Sequence, residues 1–286
     1  MEACRWLWGP ATDCGASAAP PSRYGPPMST WPQSMSQLAE RVSLLPANRT
    51  VDEVVDRLTA IEEARDGFFS PAGAGPAARR DRPPLPDGVA CFNGMYLEVT
   101  KAVRDGVPTF ESPAFVERLD VFFAEFYFQA YEAAAAHAWV SKAWAPLFER
   151  KDAAGVLALQ FAIAGMNAHI NNDLAHALVL TWHDLDLEPG RDSPEYRDYR
   201  KVNGILEAVE RDIKGPLADD LVSSVDTVLG TTDDVLALWS IGRAREEAWR
   251  RAQIMRAMPD GELDSLFDRF VGFAGHLLLR PSVIPG

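Results

Sequence analysis

One run limits what this chain can fold into more than any other. It reads Gln160-Phe-Ala-Ile-Ala-Gly-Met-Asn-Ala-His169-Ile-Asn-Asn172-Asp173-Leu-Ala-His176-Ala-Leu-Val-Leu180. Between Asp152 and Asp184 the only Asp, Glu, Lys or Arg is Asp173, and no proline interrupts. Ala and Leu favour a helix, and the missing charge favours a buried one, so this stretch predicts a core helix. At about 100° per residue, Ala158, Ala162, Gly165, Met166, His169, Asn172, Asp173, His176 and Leu180 share one side. His169, Asp173 and His176 then project on successive turns. A carboxylate and two imidazoles on a core helix are costly unless paired, hydrogen-bonded or bound to a metal.

The chain has 286 residues and 47% hydrophobic composition, enough for one sizeable core or one domain plus a tail. A formal charge of −13 disfavours nucleic acid or an anionic membrane as a partner. No apolar run reaches membrane-spanning length, because the central one carries Asn167, Asn171 and Asn172 beside its histidines and Asp173. The N-terminus lacks a basic region followed by a long apolar core, so no secretory signal is expected. Cys4, Cys14 and Cys91 are odd in number and lack zinc-type spacing, which predicts reduced thiols in a cytoplasm. The abundance of Ala, and of Arg over Lys, fits a high-GC bacterial gene.

Helix signals punctuate the rest. Residues 1–45 are broken by Gly9-Pro10, Pro20-Pro21 and Gly25-Pro26-Pro27 and predict a mostly disordered tail. Trp6, Trp8 and Trp31 offer a way to dock it, and Met28 or Met35 an alternative start. The helical domain is expected over 46–281, with 282–286 as a second tail. Thr50-Val-Asp-Glu53 is a capping box opening a helix with Val51, Val54, Val55, Leu58 and Ile61 inward. Ser70 to Asp87 predicts a surface loop. A helix from Val89 to Arg104 follows, with Cys91, Met95, Val99 and Ala102 as its stripe. Ser112-Pro113 caps a long helix with Val116, Leu119, Phe123, Tyr127, Ala130 and Ala134 inward and Asp120 and His137 near that line.

After the central helix, Ser193-Pro194 starts another, with Tyr199, Val202, Leu206, Val209 and Ile213 inward. Thr231-Thr-Asp-Asp234 caps one through Val235, Trp239, Gly242, Trp249 and Ile254. Leu263 to Leu279 is the last. Sustained apolar–polar alternation is missing. The fold class is therefore all-α, a single-domain bundle of about seven to nine helices.

Bundles build metal sites from carboxylate and imidazole side chains on facing helices. Asp173-Leu-Ala-His176 has the i, i+3 spacing of such sites, and His169 adds a donor one turn earlier. Two histidines with one carboxylate suit iron, manganese or zinc. Over these eight residues the spacing is similar to the third metal-binding helix of haem-oxygenase-like di-iron oxidases. The competing reading is a metal-free network in which Asp173 accepts from His169 and Asn172 completes the bonds. Further donors are sought in Glu98, Asp120, Glu125, His137, Glu210 and Glu246. Glu210 and Glu246 lie nearest their apolar stripes, Asp120 and His137 come next, and Glu125 points away from its stripe. Arg243, Glu246 and Arg250 form either a salt-bridge ladder or a clamp for an anionic substrate. Trp139, Trp144, Trp182, Trp239 and Trp249 are expected in the core.

No Gly-rich loop follows a strand, and no nucleophile elbow, H-E-x-x-H or aspartate-rich magnesium motif occurs, so no nucleotide or organic cofactor is expected. Three segments carry a family resemblance: Asp87-Gly-Val-Ala-Cys-Phe-Asn-Gly-Met-Tyr96, Gly165-Met-Asn-Ala-His169-Ile-Asn-Asn-Asp173-Leu, and Val271-Gly-Phe-Ala-Gly275. Over about Val51 to Pro281 the chain resembles an actinobacterial helical family, domain of unknown function 5995. Its Asn-Ala-His-Ile-x-x-Asp core falls on Asn167, His169 and Asp173, and His176 stands outside it. The resemblance implies a helical fold and a bacterial host lineage, and brings no activity.

The expectation is a helical metalloenzyme modifying a small molecule in bacterial specialised metabolism, for example a non-haem di-iron oxidase. His169, Asp173 and His176 would hold iron, with manganese or zinc as alternatives, facing Glu210 or Glu246. His169 and Asp173 would also be the catalytic pair. Asn167, Asn172, Tyr199, Asn203, Trp239 and Arg243 would meet the substrate. A metal-free cyclase, isomerase or binder using the His169–Asp173 pair stays open. So do an inert scaffold and a homo-oligomer.

Overall fold

In the computed structural model of the chain, residues 50–64, 87–208, 241–257 and 262–281 are described, and every regular element among them is helical. The N-terminal tail, most of the expected Ser70–Asp87 loop, the last five residues and the segment 209–240 with Glu210 and Trp239 lie outside them.

The Thr50 capping box forms as expected. The Glu53 amide donates to Thr50 Oγ1 at 3.3 Å, and the Thr50 amide to Glu53 Oε2 at 3.4 Å. It opens α1 (Val51–Ala64), which buries the five apolar residues expected of it. Helix α2 (Gly88–Gly106) is capped by Asp87, whose carboxylate accepts from the Val89 and Ala90 amides. Its first three turns are buried all round, not along one stripe. Buried Asn93 ties three helices together: its amide donates to Leu58 O, and its side-chain oxygen accepts from Tyr127. Cys91 is a free thiol in this core, pushed up to about 12 by burial and then by the Glu62 charge, which leaves it unreactive.

Pro113 opens α3 (Pro113–Ala135), but Ser112 does not cap it with its side chain. Asp198 does so from a distance, accepting the Glu111 and Ser112 amides at 3.0 and 2.5 Å, while the Ser112 hydroxyl donates to Glu195. The short α4 (Ala145–Arg150) leads to α5 (Ala158–Ala168). That helix continues through a π turn at His169–Asp173 into α6 (Leu174–Asp184). Residues 194–208 form α7; α8 is Ile241–Ala257 and α9 is Glu262–Leu278. Helices α2, α3, α8 and α9 pack around the α5–π–α6 rod, so the charge-poor run is the axis of the bundle.

Two glycines let α2 and α5 approach closely. A Cβ on Gly165 would lie 2.3 Å from the Phe92 ring, and one on Gly88 2.3 Å from Phe161. Buried amides tie α9 to the rod: Gln160 donates to Leu278 O and Arg280 O, and Asn167 to Val271 O. Trp144, Trp182 and Trp249 fill the core as expected, but Trp139 is 44% exposed.

Candidate functional site

The site follows from the π turn. One extra residue enters the turn, the Leu174 amide bonding back to His169 O. Everything after it swings by about 100° relative to an uninterrupted α-helix. That breaks the single polar face expected from the sequence. His169 and Asp173 remain together, whereas His176 is carried to another side.

His169 Nδ1 is 3.1 Å from Asp173 Oδ2, and both side chains are buried. The same oxygen accepts from Trp144 Nε1 at 2.9 Å, and Asp173 Oδ1 accepts from the Asn172 amide at 2.9 Å. Trp144 and Asn172 thus donate to both oxygens of one buried carboxylate. Because Asp173 Oδ2 is already an acceptor, the contact at Nδ1 places the hydrogen of His169 there. Burial pushes the imidazole below its ordinary range, against the pull of Asp173, so the ring is neutral at neutral pH. Its Nε2 lone pair is left without a protein partner. The ring is clamped, stacked on Phe123 at 3.5 Å with Tyr96 edge-on at 4.7 Å.

His169 lines a cavity of about 90 Å³ between α2, α3, the π turn, α7 and α8. A water needs roughly 10–15 Å³ on this scale, so the space holds about six to nine water-sized groups. The walls are almost entirely apolar, Met95, Leu119 and Ile170 among them, and four polar groups line them: Tyr96, Asp120, His169 and Arg245. Burial raises the Asp120 carboxyl to about 7 and leaves its Oδ2 without a partner. The Tyr96 hydroxyl is driven well above its ordinary range, by burial first and by the Asp120 charge next. Arg245 is 5% exposed. Its Nε donates to Asn203 Oδ1 at 2.7 Å and one terminal nitrogen to Tyr199 O at 2.9 Å, with the guanidinium 4.2 Å above the Tyr199 ring.

His176 belongs to a different cluster. Its Nδ1 is 3.0 Å from Asn172 O and its Nε2 3.4 Å from Asp264 Oδ2. Burial alone would raise Asp264, but His176 and then Arg251 hold it below its ordinary value. Arg251 donates to Asn171 O at 2.6 Å and to Asn172 O at 2.7 Å. A π turn loosens the carbonyl ladder, and this buried guanidinium satisfies it.

The expected metal set is therefore not gathered at one point. His169 lines the cavity, His176 is turned toward Asp264 with Arg251 beside it, and both Asp173 oxygens are engaged. Glu246 accepts from Arg191 and Tyr196 near the surface. Glu210 lies outside the described residues. Among the described residues no group of three His, Cys, Asp or Glu is placed to hold a metal ion. Of the other expected donors, Glu98 pairs with Lys101 and His137 is exposed. Glu125, expected in solvent, is 3% exposed, 3.9 Å from Arg57.

The expected substrate residues also divide. Tyr199 and Asn203 position Arg245; Asn172 positions Asp173; Asn167 ties α5 to α9. Arg243 is exposed, and Arg250 pairs with Glu247, not with Glu246. The residues missed were Tyr96 and Arg245. A signal for Arg245 existed: Ile241, Arg245, Ala248, Trp249, Ala252 and Met255 form the buried side of α8. Setting the register from Trp239, Gly242 and Ile254 hid it, and Ile254 proves 37% exposed.

No curated protein and no solved structure matches the chain. A family match spans residues 51–281, from the first residue of α1 to the end of the described C-terminus, and the chain belongs to the family of unknown function DUF5995.

Proposed function

We propose that the chain binds a small, largely apolar molecule in this cavity and moves a proton on it without a metal. The observation that carries the reading is the buried, unpartnered Nε2 of a neutral His169, a ring fixed by Asp173 in the wall of an apolar cavity. A neutral imidazole oriented by a carboxylate is a general base. Asp120 lines the same space and stays about half protonated near pH 7, so it is matched to act as the acid.

The corresponding reaction is an isomerisation. His169 Nε2 takes a proton from a carbon next to a carbonyl or similar acceptor, and the C–H electron pair moves into that acceptor. Its oxygen takes a hydrogen bond or proton from Asp120. Where a carbon–carbon double bond is conjugated with the enolate, return of the proton to its far carbon and of any donated proton to Asp120 completes the turn with no oxidant. Phe92, Tyr96 and Phe123 around the imidazole exclude water, which strengthens each polar contact.

The test is a protein-observed NMR screen of small apolar carbonyl compounds, followed by incubation of the binders in D2O. Compounds that shift the Tyr96 and Phe123 resonances should gain deuterium with the unaltered chain and not with His169→Gln. Binding without exchange overturns the proton transfer. No compound shifting those resonances overturns the site.

A further inference from the structure

We infer that the cavity's ligand is a monoanion, an apolar body carrying one carboxylate that Arg245 captures. The inference rests on the cavity being the binding site and adds the charge class of what enters it.

A guanidinium cannot shed its proton in a protein, so Arg245 brings a permanent positive charge into the cavity wall. A buried cation is stable only when paired. Among the described residues no carboxylate lies within ion-pair distance of Arg245. The contacts it has are neutral: the Asn203 amide oxygen, the Tyr199 carbonyl and the Tyr199 ring. These contacts fix the plane of the guanidinium, and among the described residues they leave its charge uncompensated. Asp120 does not serve, since its carboxyl is governed by burial with no cation lowering it.

The donors already engaged also set the ligand's valence. Of five N–H groups, one goes to Asn203 and one to Tyr199 O, which leaves three. Three donors and one charge suit a carboxylate taken by two parallel bonds. A phosphate dianion would need a second cation, and Arg245 is the one Lys or Arg lining the cavity among the described residues. Tyr199 and Asn203 act through Arg245 as positioning residues. Tyr199 closes the loop, its hydroxyl donating to Arg245 O at 2.6 Å.

The probes are hexanoate, its neutral isostere hexanamide, and the cation hexylammonium, titrated into the full chain at pH 6 while the Tyr96 and Phe123 resonances are followed. Hexanoate should bind at least about tenfold tighter than hexanamide, as expected for a charge-assisted pair, and hexylammonium should not bind. Arg245→Gln should reduce the acid-to-amide ratio to within about twofold while hexanamide binding persists, which also shows that the variant is folded. Equal or tighter binding of hexanamide by the unaltered chain overturns the anion assignment and leaves the cavity standing. Failure of all three probes to shift the cavity resonances overturns the cavity reading and this inference together. A preference for hexanoate that survives in Arg245→Gln overturns the role of Arg245.

Discussion

Replacing Asp120 by Asn should make the protein more stable at alkaline pH, in an amount the structure fixes. The carboxyl moves from 3.8 to about 7 because it is buried. Its folded-state value thus lies above its unfolded value. Below about pH 4 both states carry the proton and the site is neutral to stability. As pH rises from about 4 to 7, the unfolded chain releases the proton and the folded chain holds it. Stability then falls by about 1.4 kcal/mol per pH unit. The gap of about three pH units gives about 4 kcal/mol by pH 8. Asn has the same shape and no charge to bury, so the variant escapes this loss. Urea denaturation of both proteins at pH 4.5 and pH 8 measures it. The variant should gain on the parent by several kcal/mol between the two conditions, with unchanged denaturant slopes. An equal difference at both pH values would refute a raised Asp120 and remove the acid from the proposed chemistry.

Two further substitutions probe the frame of the site. Arg251→Leu strips the donors from Asn171 O and Asn172 O and should cost about 3–5 kcal/mol, with amide shifts concentrated at residues 169–174. A loss under 1 kcal/mol by urea denaturation would show that the π turn does not depend on this guanidinium. Trp144→Phe removes one donor from Asp173 and should cost about 1.5–3 kcal/mol. A neutral result in the same assay would mean that the carboxylate is not held as described.

The architecture was legible because it rests on local rules. Thr50 and Glu53 cap where a capping box should, Pro113 sits at a helix start, and the charge-poor run from Gln160 became the axis of the bundle. Pairing of His169 with Asp173 was legible too, since i and i+4 still meet across the turn. What failed were steps that extended one angular period too far. The π turn at His169–Asp173 leaves no mark in composition, yet it moved His176 to Asp264 and Arg251 and dispersed the expected metal donors. Long-range partners were equally silent. Nothing near Ser112 says that Asp198 will cap its helix, and nothing near Arg245 says that it will line the same cavity as His169. Glu125 and Asp120 show the same limit: both are buried on α3, one near Arg57 and one with no ion pair among the described residues.

The central claim is the state of one ring. A two-dimensional nitrogen–carbon-proton correlation spectrum of the histidine side chains at pH 7, with His169 assigned through its loss in His169→Gln, observes both of its nitrogens directly. The structure predicts a protonated Nδ1 and a bare Nε2 that moves when a cavity ligand binds. A ring protonated on both nitrogens, or carrying its single hydrogen on Nε2, would contradict the account.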